Sequence, residues 1–231
     1  MGDPQQIGED LWIMDGPTAR DLLVVPYPTR MSIARLDDGG LWITSPVTST
    51  HEDLVRVTAL GPVRHILSPT PRHHWRLESW HALFPDATLW SCRVGVATLG
   101  RRTLPTARLT DGAPPAWAGQ IDQARYPGRG FEEITFYHRR SRTLLVEDLL
   151  QAHPRHASLL ANALVRVGGI GTRGDVPRDM RVLTRTAEAR LWADRVLSWD
   201  FDQLVMAHGP VIRSDAKAWV THAFDWLLSS S

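Results

Sequence analysis

The sequence predicts an α/β fold, and three patterns along the chain support this prediction. Short apolar runs with strand alternation dominate the first part, a strand–helix–strand section follows, and a late strand precedes an amphipathic helix. Apolar residues make up 43% of the 231 residues and charged residues 22%, which is the balance of a globular protein. No clear linker interrupts the pattern, so we expect one domain over residues 1–231, of the α/β or α+β class.

The strands are predicted from apolar runs that end at turn residues. They are Leu11–Met14, Met31–Leu36, Leu41–Thr44, Val63–Leu67, Ala87–Trp90, Ile121–Tyr126, Glu133–His138, Thr143–Val146 and Gln203–Met206. A hairpin turn is expected at Asp37-Asp38-Gly39-Gly40, because glycine accepts the positive φ that such turns need.

The helices are predicted from apolar residues at helical spacing and from capping residues. The expected helices are His51–Leu60, Leu77–Phe84, Arg155–Val167, Met180–Leu197 and Ser214–Leu228. Ser49 or Thr50 is expected to cap the first of them, with Glu52 and Asp53 near the positive end of its dipole.

Charge and cysteine content exclude several classes of function. Lys and Arg number 26 and Asp and Glu 25, so the net charge of +1 gives no support for a nucleic-acid partner. The single cysteine excludes an intrachain disulfide and a thiolate-rich metal site. Residues 1–10 do not resemble a signal peptide, and no apolar run is long enough for a membrane span. We therefore expect a cytoplasmic protein, with no membrane partner, that takes a small-molecule substrate or ligand; the arginine-rich composition is typical of a bacterial gene.

Histidine and aspartate side chains follow three of the predicted strands. His73 and His74 come after Val63–Leu67, Asp148 comes after Thr143–Val146, and His208 comes after Gln203–Met206. In layered α/β folds the loops beyond strand ends meet in one crevice, so these side chains are candidates for one site. Imidazole and carboxylate groups are suitable ligands for Zn²⁺, Fe²⁺ or Mn²⁺.

The loop that carries the first two histidines shows a damaged version of a known motif. Pro69-Thr70-Pro71-Arg72-His73-His74 follows Ile66-Leu67-Ser68, and it resembles the H-x-H-x-D-H motif of the metallo-β-lactamase-like hydrolase superfamily. The resemblance runs from Trp12 to the final helix and is closest to an uncharacterised branch, a domain of unknown function. It implies a four-layer αββα sandwich.

The departures from the motif fall mainly on one of the family's two metal positions. Pro69 and Pro71 replace the first two histidines, and Arg129 in Pro127-Gly128-Arg129-Gly130 replaces the next one. Proline has no side-chain donor atom and arginine does not lose its proton, so neither ligates a metal. Ser45 stands where the family has an acidic residue. A two-metal mechanism is therefore not expected.

The other metal position is largely retained. The resemblance places His74, Asp148 and His208 there as metal ligands, with His73 at the position of the motif aspartate, as a fourth ligand or a general base. A register one residue earlier is the alternative alignment of this loop. Arg129 is expected to bind an anionic group of the substrate.

Two functions follow from this reduced ligand set. The first is a hydrolase-like protein with at most one divalent metal (zinc, iron or manganese) that acts on a small anionic or ester-type substrate. The second is a non-catalytic relative, without metal or catalysis, that binds a ligand or partner in the crevice. Each candidate residue also has a structural interpretation: His73 and His74 as exposed or capping residues, Asp148 as a helix cap, His208 as a packed ring and Arg129 as a solvated loop residue.

Overall fold

The computed structural model describes residues 2–19, 25–92 and 104–229. In these ranges the strands form two sheets. Their bounds are β1 (Gln5–Gly8), β2 (Leu11–Ala19), β3 (Tyr27–Arg35), β4 (Leu41–Thr44), β5 (Val63–Ser68), β6 (Thr88–Ser91), β7 (Ala107–Arg108), β8 (Ile121–Pro127), β9 (Glu132–His138), β10 (Thr143–Val146) and β11 (Gln203–Met206).

The first sheet contains β1 to β7 in chain order, and the second has the order β11-β10-β9-β8. Strands β1 to β4 are antiparallel, whereas β4 to β7 are parallel. Helical crossovers at His51–Thr58 and Leu77–Leu83 connect β4 to β5 and β5 to β6. In the second sheet β10 and β11 are parallel and the remaining pairs are antiparallel.

Helices cover the outer face of each sheet. Their bounds are α1 (His51–Thr58), α2 (Leu77–Leu83), α3 (Leu159–Gly168), α4 (Arg178–Leu183), α5 (Thr186–Ser198), α6 (Ala216–Ala223) and α7 (Asp225–Leu228). Thr50 caps α1 through a capping box with Asp53, as one of the two sequence alternatives predicts.

Three hydrophobic cores separate the layers, and strand alternation distributes residues among them. On β10, Leu145 faces the core between the sheets, whereas Leu144 and Val146 face the core beneath α4 to α7. On β2, Trp12 and Met14 face the third core, beneath α1 and α2. The predicted α/β class and the αββα layering are therefore confirmed.

Two of the predicted helices are interrupted, and one begins late. The segment predicted as Met180–Leu197 forms α4 and α5, because Thr184 has extended dihedral angles. The helix predicted as Ser214–Leu228 is broken at Phe224. The helix predicted from Arg155 begins at Leu159, where Ser158 accepts a hydrogen bond from the Ala161 N–H group. None of the helices that the described ranges contain is long and apolar enough to cross a membrane.

Candidate metal centre

Three donor atoms from three separate loops converge at one edge of the two sheets. Nε2 of His73 lies 3.2 Å from Nε2 of His208 and 3.4 Å from Oδ1 of Asp148, and the His208 and Asp148 atoms lie 3.3 Å apart. In the described ranges, these three side chains form a group of potential metal ligands, since each places one donor atom within 4.8 Å of the other two. His73 follows β5, Asp148 follows β10 and His208 follows β11, so both sheets contribute to the site.

The triangle of donors has the dimensions of a tetrahedral metal site. An ion bonded at about 2.0–2.1 Å in tetrahedral geometry separates its ligand atoms by about 3.3–3.4 Å. All three observed separations match this spacing to about 0.1 Å. Two imidazole nitrogens and one carboxylate oxygen are also a donor set that zinc, iron and manganese accept. The residues present therefore fit one such ion.

The ring of His208 is oriented by the first sheet. Its Nδ1 atom lies 2.7 Å from the carbonyl oxygen of Pro28, on β3, and the edge of Tyr27 packs against the ring. A carbonyl oxygen only accepts hydrogen bonds, so Nδ1 carries the proton and donates it. The lone pair is then on Nε2, which faces the centre.

A buried arginine from the same strand fixes the loop that carries His208. The Nη1 atom of Arg30 donates to the carbonyl oxygens of Met206 at 3.0 Å and Gly209 at 2.6 Å. Its Nε atom donates to the exposed carboxylate of Asp15 at 2.7 Å. Pro28 and Arg30 thus hold both the ring and the backbone of the His208 loop.

The ring of His73 has partners on the side away from the centre. Its Nδ1 atom lies 2.6 Å from Oγ of Ser45 and 3.3 Å from Oε2 of Glu147. Thr44 in turn donates to Oε1 of Glu147 at 2.9 Å. A carboxylate behind a ligating imidazole fixes the tautomer and raises the basicity of the ligand.

Ser45 reaches His73 only because its backbone is unusual. It follows β4 with a φ of 54°, in the left-handed region that non-glycine residues rarely adopt. Its N–H group donates to the carbonyl oxygen of Leu67 at 3.0 Å, which fixes this conformation. Backbone strain of this kind persists where the surrounding structure holds it, often at functional sites.

The carboxylate of Asp148 is held from two directions. Thr70 donates to Oδ2 at 2.9 Å, which leaves Oδ1 facing the two imidazoles. The carboxylate of Glu133 on β9 accepts the backbone N–H groups of Glu147, Asp148 and Leu149 at 2.8–2.9 Å. These three bonds fix the backbone from which Asp148 projects.

The site has an excess of buried negative charge, since Glu133, Glu147 and Asp148 are all buried. Burial and the charge of Asp148 raise the pKa of Glu133 to about 8. Burial alone would lower the pKa of His73, but the carboxylates of Asp148 and Glu147 raise it well above its ordinary value. Burial alone would raise the pKa of Asp148, but the two histidines hold it well below its usual range. A cation at the centre would therefore be stabilised.

The structure does not bring His74 or Arg129 into the group of three. Nδ1 of His74 contacts the carbonyl oxygen of Pro71, and its ring stacks on Trp75 with centroids 5.7 Å apart. The geometry therefore agrees with the earlier motif register, in which His73 takes the place of the last motif histidine. Arg129 is exposed, and its backbone N–H donates to the carbonyl oxygen of Leu183 at 2.7 Å.

The supporting residues carry weaker sequence signals than the three donors. Glu147 is adjacent to Asp148, and this position in the sequence could have marked it as a candidate site residue. Thr70 lies inside the motif loop at a position where, in the register predicted from the sequence, the motif specifies no residue type. Glu133 and Pro28 are far from the donors in sequence, and only the pairing of strands brings them close. The structural interpretation of His208, a ring bonded to a backbone carbonyl, is compatible with a ligand because it uses only Nδ1.

Comparison with known structures places the chain among proteins of the metallo-β-lactamase fold. A metallo-β-lactamase from Pontibacter korlensis matches with a TM-score of 0.63 and 14% identity, over 99% of both chains. A metallo-β-lactamase from Pseudomonas aeruginosa, solved in its mono-zinc form, matches with a TM-score of 0.62 and 8% identity, over 99% of this chain and 96% of that one. A diflavin flavoprotein fragment from Nostoc has a TM-score of 0.64 and 13% identity, over 98% and 96%.

Within this fold, the chain belongs to the family described as a domain of unknown function, DUF4336, whose model matches residues 8–165. The matched range includes His73 and Asp148, while His208 lies beyond it. No curated protein sequence matched the chain.

Proposed function

We propose that His73, Asp148 and His208 hold one divalent transition-metal ion, and that the protein hydrolyses a small substrate with an ester or anionic group. The observation that carries this proposal is the donor triangle, whose edges of 3.2–3.4 Å equal those of a tetrahedral site. The mono-zinc metallo-β-lactamase with the same fold supports the idea that one ion suffices in this architecture. Zinc, iron and manganese are the metals that we propose.

The surrounding residues support ligation, because each donor has a second partner that leaves one atom for the ion. Pro28 occupies Nδ1 of His208, Thr70 occupies Oδ2 of Asp148, and Glu147 lies beside Nδ1 of His73. Such outer partners typically contribute a factor of about 10–100 to metal affinity. Their arrangement is difficult to explain if the three residues serve only packing.

A bound ion of this kind would polarise a water molecule or a substrate carbonyl or phosphoryl oxygen. The protein supplies three ligands, which leaves a fourth position for water or substrate. In this arrangement Nε2 of His73 is occupied as a ligand, so His73 does not act as a general base.

Arg129 is the proposed binding group for a substrate anion. It is exposed on the loop after β8, and a guanidinium group binds carboxylate or phosphate through two parallel hydrogen bonds. The backbone bond to Leu183 fixes the base of this loop and leaves the side chain free to bind.

A non-catalytic binding function is the second candidate. The observation that favours it is the loss of histidines at the family's other metal position. With His73 in the place of the last motif histidine, Ser68 and Thr70 stand at the first two histidines and Arg129 at the next. In this case the crevice binds a small anionic ligand, and the three donors serve as hydrogen-bonding groups.

Zinc binding by variants at two adjacent positions, 73 and 74, tests the proposal. Wild type, His73→Ala and His74→Ala are equilibrated with Zn²⁺ and analysed for bound zinc by elemental mass spectrometry. We expect His73→Ala to bind one equivalent less than wild type, and His74→Ala, the matched control from the same loop, to bind as much as wild type. Equal zinc content in wild type and His73→Ala would contradict the metal site.

Hydrolysis then separates the two candidate functions. Wild type and both variants are assayed with chromogenic carboxylic and phosphate esters in the presence of zinc, iron or manganese. We expect activity in wild type and His74→Ala that is lost in His73→Ala. Metal binding without hydrolysis of any substrate in this panel would favour the non-catalytic function.

A further inference from the structure

Helix α3 is strongly apolar, yet it contributes to none of the three hydrophobic cores formed by the described residues. Asn162 and Arg166 are the polar side chains in its ten residues. Ala161 and Val165 are its buried residues, and both lie outside those cores. The helix is therefore attached to the domain by one narrow face.

The outward-facing apolar side chains of α3 form one continuous stripe, which consists of Leu159, Leu160, Ala163, Leu164 and Val167. At 100° per residue these positions cover an arc of about 140°. Leu159 is 87% exposed and Val167 67% exposed. A surface helix normally turns such a stripe toward its own core, and an apolar patch that faces outward marks an interaction site.

Four exposed arginines lie in the segment that contains α3, at positions Arg155, Arg166, Arg173 and Arg178. Among the described residues, none of these four forms an ion pair with a carboxylate. The one acidic residue between positions 155 and 178, Asp175, pairs with Arg181 instead. The segment therefore presents an unneutralised positive charge beside the apolar stripe.

Two of these arginines lie directly against the helix. Arg166 is part of α3 and borders the stripe next to Leu159, since seven residues make almost two full turns. Arg178 packs across the end of α3, where its Cγ atom lies 3.0 Å from the position that a Cβ at Gly169 would take. Both cations are thus placed at the margin of the apolar surface.

The flanking segments hold the other two arginines close to the helix. The side chain of Asn162 binds the N–H and carbonyl groups of the residue after Arg155, at 2.9 Å and 2.7 Å. Arg173 lies in a tight turn beyond the helix, which a hydrogen bond of 3.0 Å closes between the N–H group of Gly174 and the carbonyl oxygen of Gly171. Arginines therefore lie at both ends of α3.

Charge and shape together indicate what covers this surface. A second copy of the chain is disfavoured, because a symmetric contact would bring the unpaired arginines of both copies together. An anionic partner is complementary to them. Leu159 is 87% exposed, so neighbouring residues cover little of it and the stripe is a ridge and not a groove. A ridge of this kind enters a lipid layer, whereas a partner helix would require a groove.

We propose that α3 docks the protein on an anionic lipid surface. The apolar stripe enters the boundary between headgroups and acyl chains, and the four arginines bind lipid phosphate groups. The expectation of no membrane partner was based on the absence of a spanning segment, and a helix that lies in the interface needs none. This proposal is independent of the metal centre of His73, Asp148 and His208.

Vesicle sedimentation of the full chain tests the apolar contribution. The vesicles contain phosphatidylcholine alone or phosphatidylcholine mixed with phosphatidylglycerol, which is anionic. We expect wild type to prefer the mixed vesicles, and Leu159→Gln/Val167→Gln to bind them about 10-fold more weakly. Val55→Gln/Leu83→Gln is the matched control on α1 and α2, where the two side chains are 54% and 53% exposed, and it should bind like wild type.

The charge contribution is tested with the same vesicles. We expect Arg166→Gln/Arg173→Gln to bind the mixed vesicles about 10-fold more weakly, with no change on phosphatidylcholine alone. Arg64→Gln/Arg213→Gln is the control, because it removes two exposed arginines outside the α3 segment. Equal losses in the two charge variants would overturn the assignment of this surface.

Three further outcomes would overturn the proposal. The first is an absence of vesicle binding by wild type, which would leave an acidic protein as the partner. The second is equal binding by the stripe variant and its control. The third is a dimer in sedimentation velocity that Leu159→Gln/Val167→Gln abolishes while vesicle binding is unchanged. Circular dichroism verifies folding, and Leu159→Gln alone, at the most exposed position, replaces the double variant if that variant does not fold.

Discussion

The Nε2 atoms of His73 and His208 lie 3.2 Å apart, although the two residues are separated by 135 positions in the sequence. One ring comes from the first sheet and the other from the second, and both are oriented by groups behind them. With Nδ1 of His208 protonated by its bond to Pro28, its Nε2 lone pair faces the other ring. Two lone pairs that face each other repel, so a proton or a metal ion between the two Nε2 atoms stabilises this arrangement.

Two variants of Ser45 separate its contact with the His73 ring from the strain of its backbone. Ser45→Gly and Ser45→Ala both remove the contact between Oγ and Nδ1 of His73, but only glycine accepts a φ of 54° without strain. We expect both variants to lose about 10-fold in zinc affinity. In urea unfolding, the glycine variant should be more stable than the alanine variant by about 1 kcal/mol. Zinc affinity equal to that of wild type in both variants would show that Ser45 does not orient His73.

Arg30 is expected to affect the metal centre without touching it. Arg30→Met removes the bonds to the carbonyl oxygens of Met206 and Gly209 and frees the loop of His208. We expect zinc affinity to fall by about 10-fold, measured by competition with a chelating dye. Asp15→Ala is the control, since Asp15 binds the same guanidinium from an exposed position. Equal losses in the two variants would assign the effect to the Arg30–Asp15 ion pair.

The metal-free protein should lose stability as the pH rises. The pKa of His73 is raised in the folded state, so its stabilisation is complete below about pH 6.5 and is lost as the pH rises through the folded value. The pKa of Glu133 is raised from 4.5 to about 8, which lowers stability in the same direction across that range. The lowered pKa of Asp148 acts only at acid pH. Differential scanning calorimetry without metal should therefore show a Tm that falls between about pH 6.5 and about pH 8.

Zinc should have a larger stabilising effect at higher pH, because the ion must displace the proton on His73. We expect the increase in Tm on adding Zn²⁺ to be greater at about pH 8 than at about pH 6. The same increase at both values would mean that zinc does not compete with this proton.

Arg129 is expected to affect ligand binding and not folding. The side chain is exposed, so Arg129→Ala should change the free energy of unfolding by less than about 0.5 kcal/mol. Calorimetric titration with inorganic phosphate should show weaker binding than in wild type. Arg125, exposed on the preceding strand and paired with Glu132, provides the control variant Arg125→Ala. A large loss of stability in Arg129→Ala would assign the residue a structural function.

Local pattern predicted much of the fold. The strands Leu41–Thr44, Thr143–Val146 and Gln203–Met206 have the predicted bounds, because apolar runs between turn residues determine them locally. The break between α4 and α5 was not predictable in this way. Thr184 leaves the helix because it pairs with Gly128 and contacts the hydroxyl group of Tyr126, and both contacts depend on tertiary structure.

The candidate site shows the same division between local and long-range information. Strand ends and the family resemblance identified His73, Asp148 and His208, which the fold brings together. The choice between His73 and His74 was beyond the sequence, because it depends on how the loop turns. In the structure, the N–H group of His73 bonds to the carbonyl oxygen of Thr70 and His74 turns toward Pro71. The supporting carboxylate of Glu133 becomes recognisable only when β9 and β10 are paired, because it then accepts the N–H groups of the Asp148 loop.

The proposed metal centre can be located by anomalous diffraction at the zinc edge, from crystals grown with Zn²⁺. We expect a peak about 2.0–2.2 Å from Nε2 of His73, Nε2 of His208 and Oδ1 of Asp148. A map without a peak between these three atoms, or with zinc bound by His74 in place of His73, would contradict the proposed centre.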